Sequence, residues 1–183
     1  MLIRHLQQAL LVVVFICALQ AAACAQQPAG GNGGLSFNPV TYRNDQYGFS
    51  LKYPDNYKED KAKEKDTMIF NAVGPLAGGR IPVLTINIFD KDRAQEQAIE
   101  LIKAGSGSDI KITPLKEITL EDGKTSGRIS MTAWYHNDAR FDMRGLSLGV
   151  VRGNSQITVT LTSIFAMYNE DKYMEILNTF TLD

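Results

Sequence analysis

The sequence predicts an α+β domain in which an antiparallel β-sheet carries two helices. Several segments alternate apolar and polar residues with the period of a half-buried strand, and turn signals separate the later ones. Two other segments carry apolar residues at helical spacing behind candidate capping residues. Because tight turns join consecutive strands, the sheet should be antiparallel.

The first 23 residues have the features of a secretory signal peptide. Arg4 precedes an unbroken apolar run from Ala9 to Leu19, and small residues lead into Cys24. This run is shorter than the about 20 residues that a membrane-spanning helix needs. We therefore expect residues 1–23 to be removed on export.

Two cleavage sites compete at the end of this signal. The residues before Cys24 resemble a bacterial lipobox, in which the signal is cut before the cysteine and the thiol receives a diacylglycerol. The alternative is ordinary cleavage at Ala21-x-Ala23 or Ala23-x-Ala25. Lipidation is favoured because Cys17 would leave with the signal, so that Cys24 would otherwise be a single exported thiol. Cys24 is therefore the predicted site of lipid attachment.

Residues 24–37 form the predicted attachment segment, and residues 38–183 form a single domain. The run QQPAGGNGG, from Gln26 to Gly34, has the composition of a flexible tether. Ala25 follows the cysteine, where lipoproteins retained at the inner membrane have aspartate. The prediction is an exported lipoprotein that faces the periplasm or cell surface, with the outer membrane favoured.

Three segments alternate apolar and polar residues as half-buried strands do: Gly48 to Tyr53, Val83 to Phe89 and Gln156 to Ser163. The first ends at a proline, which suits the end of a strand. All three contain β-branched or aromatic residues, which strands favour. The side chains predicted to face the core are Phe49, Leu51, Tyr53, Leu84, Ile86, Ile88, Ile157, Val159 and Leu161.

Two helices are predicted from capping residues and apolar spacing. The first should begin after Asp92, whose carboxylate caps free amides while Gln95 reaches back, and should stop at Gly105. Its apolar stripe is Ala98, Leu101 and Ile102. The second should be capped by Asn169. Its core-facing residues are predicted to be Tyr173, Ile176, Leu177 and Phe180.

The segment from Lys111 to Ser163 is predicted to be a four-stranded antiparallel meander. Its hairpins should turn at Asp122-Gly123, Asn137-Asp138 and Gly153-Asn154. In the third strand the apolar residues change from one face to the other. Phe141 and Met143 have odd numbers, whereas Leu146, Leu148 and Val150 have even numbers, and odd and even positions of a regular strand face opposite sides. A β-bulge at Gly145 would bring both sets to one face.

The run from Tyr42 to Asp55, YRNDQYGFSLKYPD, resembles the opening motif of the PsbP-like superfamily, which includes bacterial DcrB-related lipoproteins. The resemblance extends over roughly Val40 to Leu182. It implies an antiparallel sheet with helices packed on its faces, an α/β/α sandwich. It also implies an accessory or assembly factor rather than an enzyme. Photosynthetic members are linked to manganese or calcium, but no matching ligand set is found, so neither a cofactor nor a metal site is predicted.

The charged and nucleophilic residues contain no motif for catalysis. With 19 basic and 20 acidic residues the chain gives no electrostatic reason to bind nucleic acid. After the signal, His136 is the only histidine. A serine hydrolase would need it beside Ser130 or Ser147 and Asp138, yet no nucleophile elbow accompanies these residues.

A cation site near the first helix is a further alternative. Asp90, Asp92 and Glu96 lie close together in the sequence, but their spacing does not match a calcium-binding loop. Helix capping by Asp92 explains this cluster more simply.

The possible binding residues are Leu76, Arg80 and Trp134. Leu76 and Arg80 lie in VGPLAGGRIP, from Val73 to Pro82, whose glycines and prolines suit a recognition loop. Trp134 lies in a predicted strand and would contribute to a hydrophobic groove. An ordinary hairpin connection and packing of Trp134 under a helix are the simpler explanations.

The functional hypothesis is a noncatalytic exported lipoprotein that binds another cell-envelope protein and assists its assembly or stability. It would reach the membrane through its N-terminal lipid. The alternative is a lipoprotein that binds a small ligand or metal ion in a pocket between the sheet and the 73–82 loop. A third possibility, a hydrolase, depends on His136.

Overall fold

Two antiparallel sheets and two helices make up the part of the chain that the structure describes. In this computed structural model that part comprises residues 35–61, 67–75, 82–120 and 123–183, all within the unit Leu35–Asp183. The elements in chain order are β1 (Pro39–Asn44), β2 (Phe49–Pro54), β3 (Lys58–Glu59), β4 (Met68–Val73), β5 (Val83–Asp90), α1 (Ala94–Ala104), β6 (Gly107–Thr119), β7 (Ser126–His136), β8 (Phe141–Arg152), β9 (Ser155–Ile164), a 3₁₀ turn (Phe165–Met167), α2 (Glu170–Asn178) and β10 (Thr181–Leu182).

The large sheet has the strand order β3-β4-β5-β9-β8-β7-β6, and the small sheet has the order β1-β2-β10. Every pairing is antiparallel. The prediction of an antiparallel α+β domain is confirmed, although the domain is mainly β and has two sheets. The second sheet was not predicted because β10 pairs with β2 across almost the whole domain sequence.

The predicted meander is confirmed as β6 to β9. Its first hairpin is closed by the Leu120 N–H, which donates to the Thr125 carbonyl at 2.8 Å. Glu121 and Asp122 lie outside the described residues. The second hairpin turns over residues 137–140, and the third turns at Gly153-Asn154.

One face of the large sheet packs against the small sheet and α2 to form the core. Two of the three β5 residues that were predicted to face inward are fully buried, and Ile88 is partly buried. Burial of one large apolar side chain stabilises the folded state by about 1.5–3 kcal/mol. The core side chains from β2, β5, β9 and α2 are Phe49, Leu51, Tyr53, Leu84, Ile86, Ile157, Val159, Leu161, Tyr173, Ile176, Leu177 and Phe180.

The N-terminal cap predicted for α1 is wrong. The helix begins one residue later, and the capping position is Arg93, which makes no side-chain capping hydrogen bond. Asp92 instead donates its backbone N–H to Asp90 Oδ1 at 2.9 Å. The predicted stop at Gly105 is confirmed, since its N–H donates to the Leu101 carbonyl at 3.1 Å.

The cap of α2 is confirmed. Asn169 Oδ1 accepts the backbone N–H of Lys172 at 3.0 Å, and Glu170 and Asp171 occupy the first turn. Acidic side chains at this end of a helix interact favourably with its dipole.

The bulge predicted at Gly145 is wrong. Strand β8 pairs with β7 and with β9 in continuous register through this residue. A Cβ atom at Gly145 would lie 2.9 Å from Thr162 Cγ2. The glycine therefore allows a close approach to β9, while Met143 and Leu146 face opposite sides of the sheet.

Strand β6 is the last strand of the large sheet among the described residues, and it is irregular. Its register with β7 shifts between Ser108 and Lys111 and again between Pro114 and Lys116. Leu115, at the second shift, is 42% exposed.

Candidate functional site

Of the residues predicted to bind a partner or a lipid, only Trp134 lies within the described residues. Cys24, Leu76 and Arg80 lie outside them. Trp134 is half-buried on β7, on the face that carries α1. A Cβ atom at Gly107 would lie 3.0 Å from Trp134 Cδ1 and would also meet the side chain of Ile102. The indole thus packs where the end of α1 meets the sheet.

The segment from Val73 to Pro82 connects two neighbouring antiparallel strands. Val73 on β4 pairs with Val83 on β5, and the Gly74 N–H donates to the Pro82 carbonyl at 2.8 Å. Strands β4 and β7 are four positions apart in the sheet, or about 19 Å. The ends of this segment are therefore not brought together with Trp134.

The residues of a histidine-dependent hydrolase are not assembled. Ser130 and Ser147 are direct cross-strand partners, but His136 lies six residues further along β7, or about 20 Å from Ser130. The Nδ1 atom of His136 accepts the Ala139 N–H at 3.3 Å. Asp138 accepts the Ser106 hydroxyl instead of approaching either serine.

The acidic residues near α1 are engaged with protein groups. Asp90 accepts the Asp92 N–H, and Glu96 pairs with Arg93 at 2.9 Å. The hydrogen bond from Arg93 is the main cause that lowers the pKa of Glu96. Within the described ranges, no three His, Cys, Asp or Glu side chains are grouped so that they could hold a metal ion.

The geometry instead points to a pocket built around Arg144. This Arg144 pocket is an open cavity of about 380 Å³ where β7 and β8 meet the 3₁₀ turn that follows β9. Ala133 and Tyr135 on β7 share the core face with Asp142 and Arg144 on β8. The described residues that line it are Asp109, Ala133, Trp134, Tyr135, Asp142, Met143, Arg144 and Phe165.

Arg144 is held by aromatic rings rather than by a carboxylate. Its guanidinium carbon lies over the Phe165 ring, 4.3 Å from the centroid, and 5.4 Å from the centroid of Tyr168. Such contacts orient a cation by attraction to the ring face. In the described part of the chain Arg144 forms no ion pair, and its buried Nε atom has no hydrogen-bond partner.

The aromatic residues of this cluster differ in exposure. Phe165 is 54% exposed, whereas Tyr168 is half-buried. Burial is the main cause that raises the pKa of Tyr168 to about 12, and nearby Arg144 acts in the opposite direction. The Tyr168 phenol therefore stays neutral near pH 7, while the outer face of Phe165 is open to contact.

The predicted bulge is the reason that sequence reasoning missed this pocket. A bulge at Gly145 would have turned Phe141 and Met143 toward the core and Arg144 outward. With continuous register, Arg144 has the same parity as Leu146 and therefore faces inward. The sequence did contain a signal for this site. Arg144 is a charged residue that continues the alternation of the buried residues Leu146, Leu148 and Val150.

A second cavity of about 600 Å³ lies on the opposite face of the sheet, between α1 and strands β6 to β9. We call it the polar groove. Two of its hydroxyl-bearing residues bond within the protein, and the first, Ser147, shares a hydrogen bond of 2.9 Å with Thr160. Gln156 likewise donates to Thr158 at 3.1 Å. Other polar lining residues include Lys91, Asp92, Gln95, Glu117, Arg128, Ser130 and Thr132.

Comparison with known proteins identifies the fold. No family model matches the chain, and no curated protein sequence matches it significantly. The Ran-binding protein Mog1p of Saccharomyces cerevisiae aligns with a TM-score of 0.52 and 11% identity, covering 80% of this chain and 96% of that one. A Mog1 mutant aligns with a TM-score of 0.51 and 10% identity, and the alignment again covers 80% of this chain and 96% of that one.

The cyanobacterial PsbP (CyanoP) of Synechocystis sp. PCC 6803 aligns with a TM-score of 0.52 and 13% identity. The alignment covers 85% of this chain and 99% of that one. The chain therefore has a fold like those of PsbP and Mog1. At these identities the likeness shows the fold alone. Within the described residues, no helix is long and apolar enough to cross a membrane.

Proposed function

We propose that the protein is a noncatalytic, lipid-anchored accessory factor that binds another cell-envelope protein through the Arg144 pocket. The observation that carries this proposal is the stacking of Arg144 on the exposed ring of Phe165, at the edge of an open cavity. The proposal includes the predicted export signal and lipid attachment at Cys24, which would put the site outside the cytosol.

The residue types of the pocket suit a protein interface. Tyrosine and arginine, which are present in the Tyr135 and Arg144 side chains of this face, are enriched among the few residues that contribute most to protein binding. Phe165 adds exposed apolar area next to Arg144, and the paired strands β7 and β8 form another wall of the cavity. A small cavity of this kind can receive a single anchoring side chain of a partner.

The fold supports the proposal only by analogy. One neighbour is named a Ran-binding protein, which agrees with a binding role for the fold in that protein. We extend the proposal to a relationship with DcrB-related lipoproteins, based on the motif from Tyr42 to Asp55. Placement of α1 and α2 on opposite faces of the large sheet supports the sandwich architecture that this relationship implies.

The test is affinity capture from detergent-solubilised envelope of the source organism, followed by mass spectrometry. Wild-type protein should retain one specific envelope protein, whereas Arg144→Ala and Phe165→Ala should lose it. Val151→Ala is the matched control, because Val151 is 58% exposed on the opposite face of β8. Capture that is absent, or that persists in both pocket variants, would rule out this site as the interface.

The polar groove supports a second candidate function, binding of a small polar ligand. Its volume of about 600 Å³ lies in the range of ligand sites. A ligand that binds only the folded protein raises its melting temperature. A screen of polar metabolites should then reveal a shift that Ser130→Leu removes by filling the groove. A screen without any shift would leave this candidate without support.

A further inference from the structure

We propose that the Arg144 pocket recognises a carboxylate group that lies beside an apolar group on the partner protein. This inference rests on the proposed function and specifies the chemistry of the same site. The carboxylate would be either the C-terminus of the partner or an acidic side chain, since both present the same planar anion.

The first reason is the unsatisfied donor on Arg144. Its Nε atom is buried and has no acceptor among the residues that the structure describes. A buried N–H group without an acceptor carries the full cost of its lost hydration. An anion in the pocket would supply the missing acceptor once a small rotation of the Arg144 side chain turned this N–H group toward the cavity, and the cost would then be removed on binding.

The second reason is that the guanidinium is already oriented. Phe165 and Tyr168 contact it through their rings, at 4.3 Å and 5.4 Å. Ring contacts consume none of the N–H donors, which lie in the guanidinium plane and match the two oxygens of a carboxylate. Less side-chain freedom is then lost when the anion binds.

The charges of the lining favour a carboxylate over a phosphate. Asp109 and Asp142 line the same cavity, and among the described lining residues Arg144 is the single cationic side chain. Two negative groups repel a dianion more strongly than a monoanion. Ala133 and the exposed ring of Phe165 supply apolar surface next to the guanidinium, which suits an apolar group beside the carboxylate.

Asp142 is the competitor within the protein. It lies two residues from Arg144 on the same face of β8, but the two do not form an ion pair. If the side chains paired in solution, Arg144 would not be available to an external anion. The substitution Asp142→Asn removes this competitor and leaves Arg144 in place.

The test is titration of the purified ¹⁵N-labelled full-length protein while the arginine Nε–Hε resonances are observed by NMR. The probe is N-acetylphenylalanine, and its matched control is N-acetylphenylalanine amide, which lacks the carboxylate. We expect the acid to shift the Arg144 resonance and to bind about tenfold more tightly than the amide. Equal affinities, or no shift of this resonance, would overturn the proposal.

Variants and a second probe sharpen the result. Arg144→Lys keeps the charge but loses the planar donors, so it should weaken binding of the acid. Asp142→Asn should strengthen it by up to about fivefold. Val151→Ala should bind like the wild type. Acetyl-Glu-Phe-amide carries only a side-chain carboxylate, so its binding relative to acetylphenylalanine distinguishes an acidic residue from a chain terminus.

The two proposals fail separately. If an envelope protein is captured through the pocket but no carboxylate binds, the pocket is an interface and the carboxylate proposal is wrong. Carboxylate binding without capture would keep the site but reject the protein partner. If Arg144→Lys fails to fold, the acid-to-amide comparison and Asp142→Asn still decide the inference.

Discussion

Tyr53 combines burial with a single hydrogen bond at the edge of the core. The residue is 3% exposed, and its hydroxyl donates to Glu59 Oε1 at 3.1 Å. Burial is the first cause that raises the pKa of Tyr53 to about 12, and the bond to Glu59 is the second. Both favour the neutral phenol, which the folded protein therefore retains to higher pH than the unfolded chain.

Stability should consequently fall at alkaline pH. The contribution of Tyr53 is complete below its ordinary pKa of 10.0 and is lost as the pH rises through about 12. The loss should be on the order of 2 kcal/mol. Between these pH values the free energy of unfolding, measured by urea denaturation, should fall less steeply with pH for Tyr53→Phe than for the wild type. The raised pKa values of Tyr57 and Tyr168 remain in the variant and account for the fall that is left. An unchanged slope would contradict this prediction.

Gly48 requires its glycine for two separate reasons. Its φ of +55° lies in the left-handed region, and a Cβ atom would lie 2.9 Å from Arg152 Nη2. The Arg152 guanidinium donates to the carbonyls of Tyr47 and Gly48. A side chain at position 48 would therefore strain the backbone and displace these bonds.

The two costs can be separated by a matched pair of substitutions. Gly153 has φ of +60° with open space around its Cβ position, so Gly153→Ala adds only backbone strain of about 1–2 kcal/mol. Gly48→Ala should destabilise the protein by about 1 kcal/mol more, because it also displaces the Arg152 bonds. Urea denaturation of both variants tests this, and equal losses would show that Arg152 moves without cost.

At the scale of elements, the two helices differ in how they begin. Asn169 caps α2 with its side chain, whereas α1 begins at a turn in which the Arg93 N–H donates to the Asp90 carbonyl at 3.1 Å. Asp90 Oδ1 takes the Asp92 N–H within the same turn. The local hydrogen bonds of Asp90 thus delay the start of α1 beyond the predicted capping residue.

Truncation of Asn169 and of Asp92 to alanine should change the free energy of unfolding by different amounts. Asn169→Ala should lower the free energy of unfolding by about 1 kcal/mol, since it removes a capping acceptor. Asp92→Ala should change it little, because that side chain caps nothing in α1. Thermal or urea denaturation of both variants provides the comparison. A larger loss in Asp92→Ala would show that the predicted cap forms in solution.

The strands and helices also differ in how far the sequence could predict them. Leu84 and Ile86 in β5 and Ile157, Val159 and Leu161 in β9 alternate with polar residues, and Asn169 precedes a clear apolar stripe, so these elements and most of their core-facing residues were predictable. Burial of Phe89 on the other face of β5 was not predicted. The β2–β10 pairing joins distant residues without a local signal. At Gly145 the parity change suggested a bulge, whereas the strand is regular and both of its faces carry large apolar side chains.

The candidate site was less predictable for a related reason. Arg144 meets Phe165 and Tyr168 only because β8 and β9 pair in a particular register. Sequence periodicity assigns residues to faces but does not assign neighbours across strands. Trp134 was selected by residue type, and its indole packs near Gly107 and Ile102.

At the scale of the whole molecule, the lipid anchor remains a prediction. Native membranes should yield a protein whose mass corresponds to an N-terminus at Cys24 carrying lipid, because the segment before it has the features of an exported lipoprotein signal. The Cys24→Ala variant should lack this modification. Intact mass spectrometry makes the comparison, and an unmodified wild-type protein would favour ordinary signal cleavage.

The irregular edge of β6 has a consequence for how copies of the domain behave together. A regular outer strand can serve as a template on which another chain adds a strand, and repetition of that step produces fibrils. Pro114 offers no N–H to such a chain, and two register shifts interrupt the row of donors and acceptors along β6. Neighbouring copies would therefore find no continuous edge along β6 from which a shared sheet could grow.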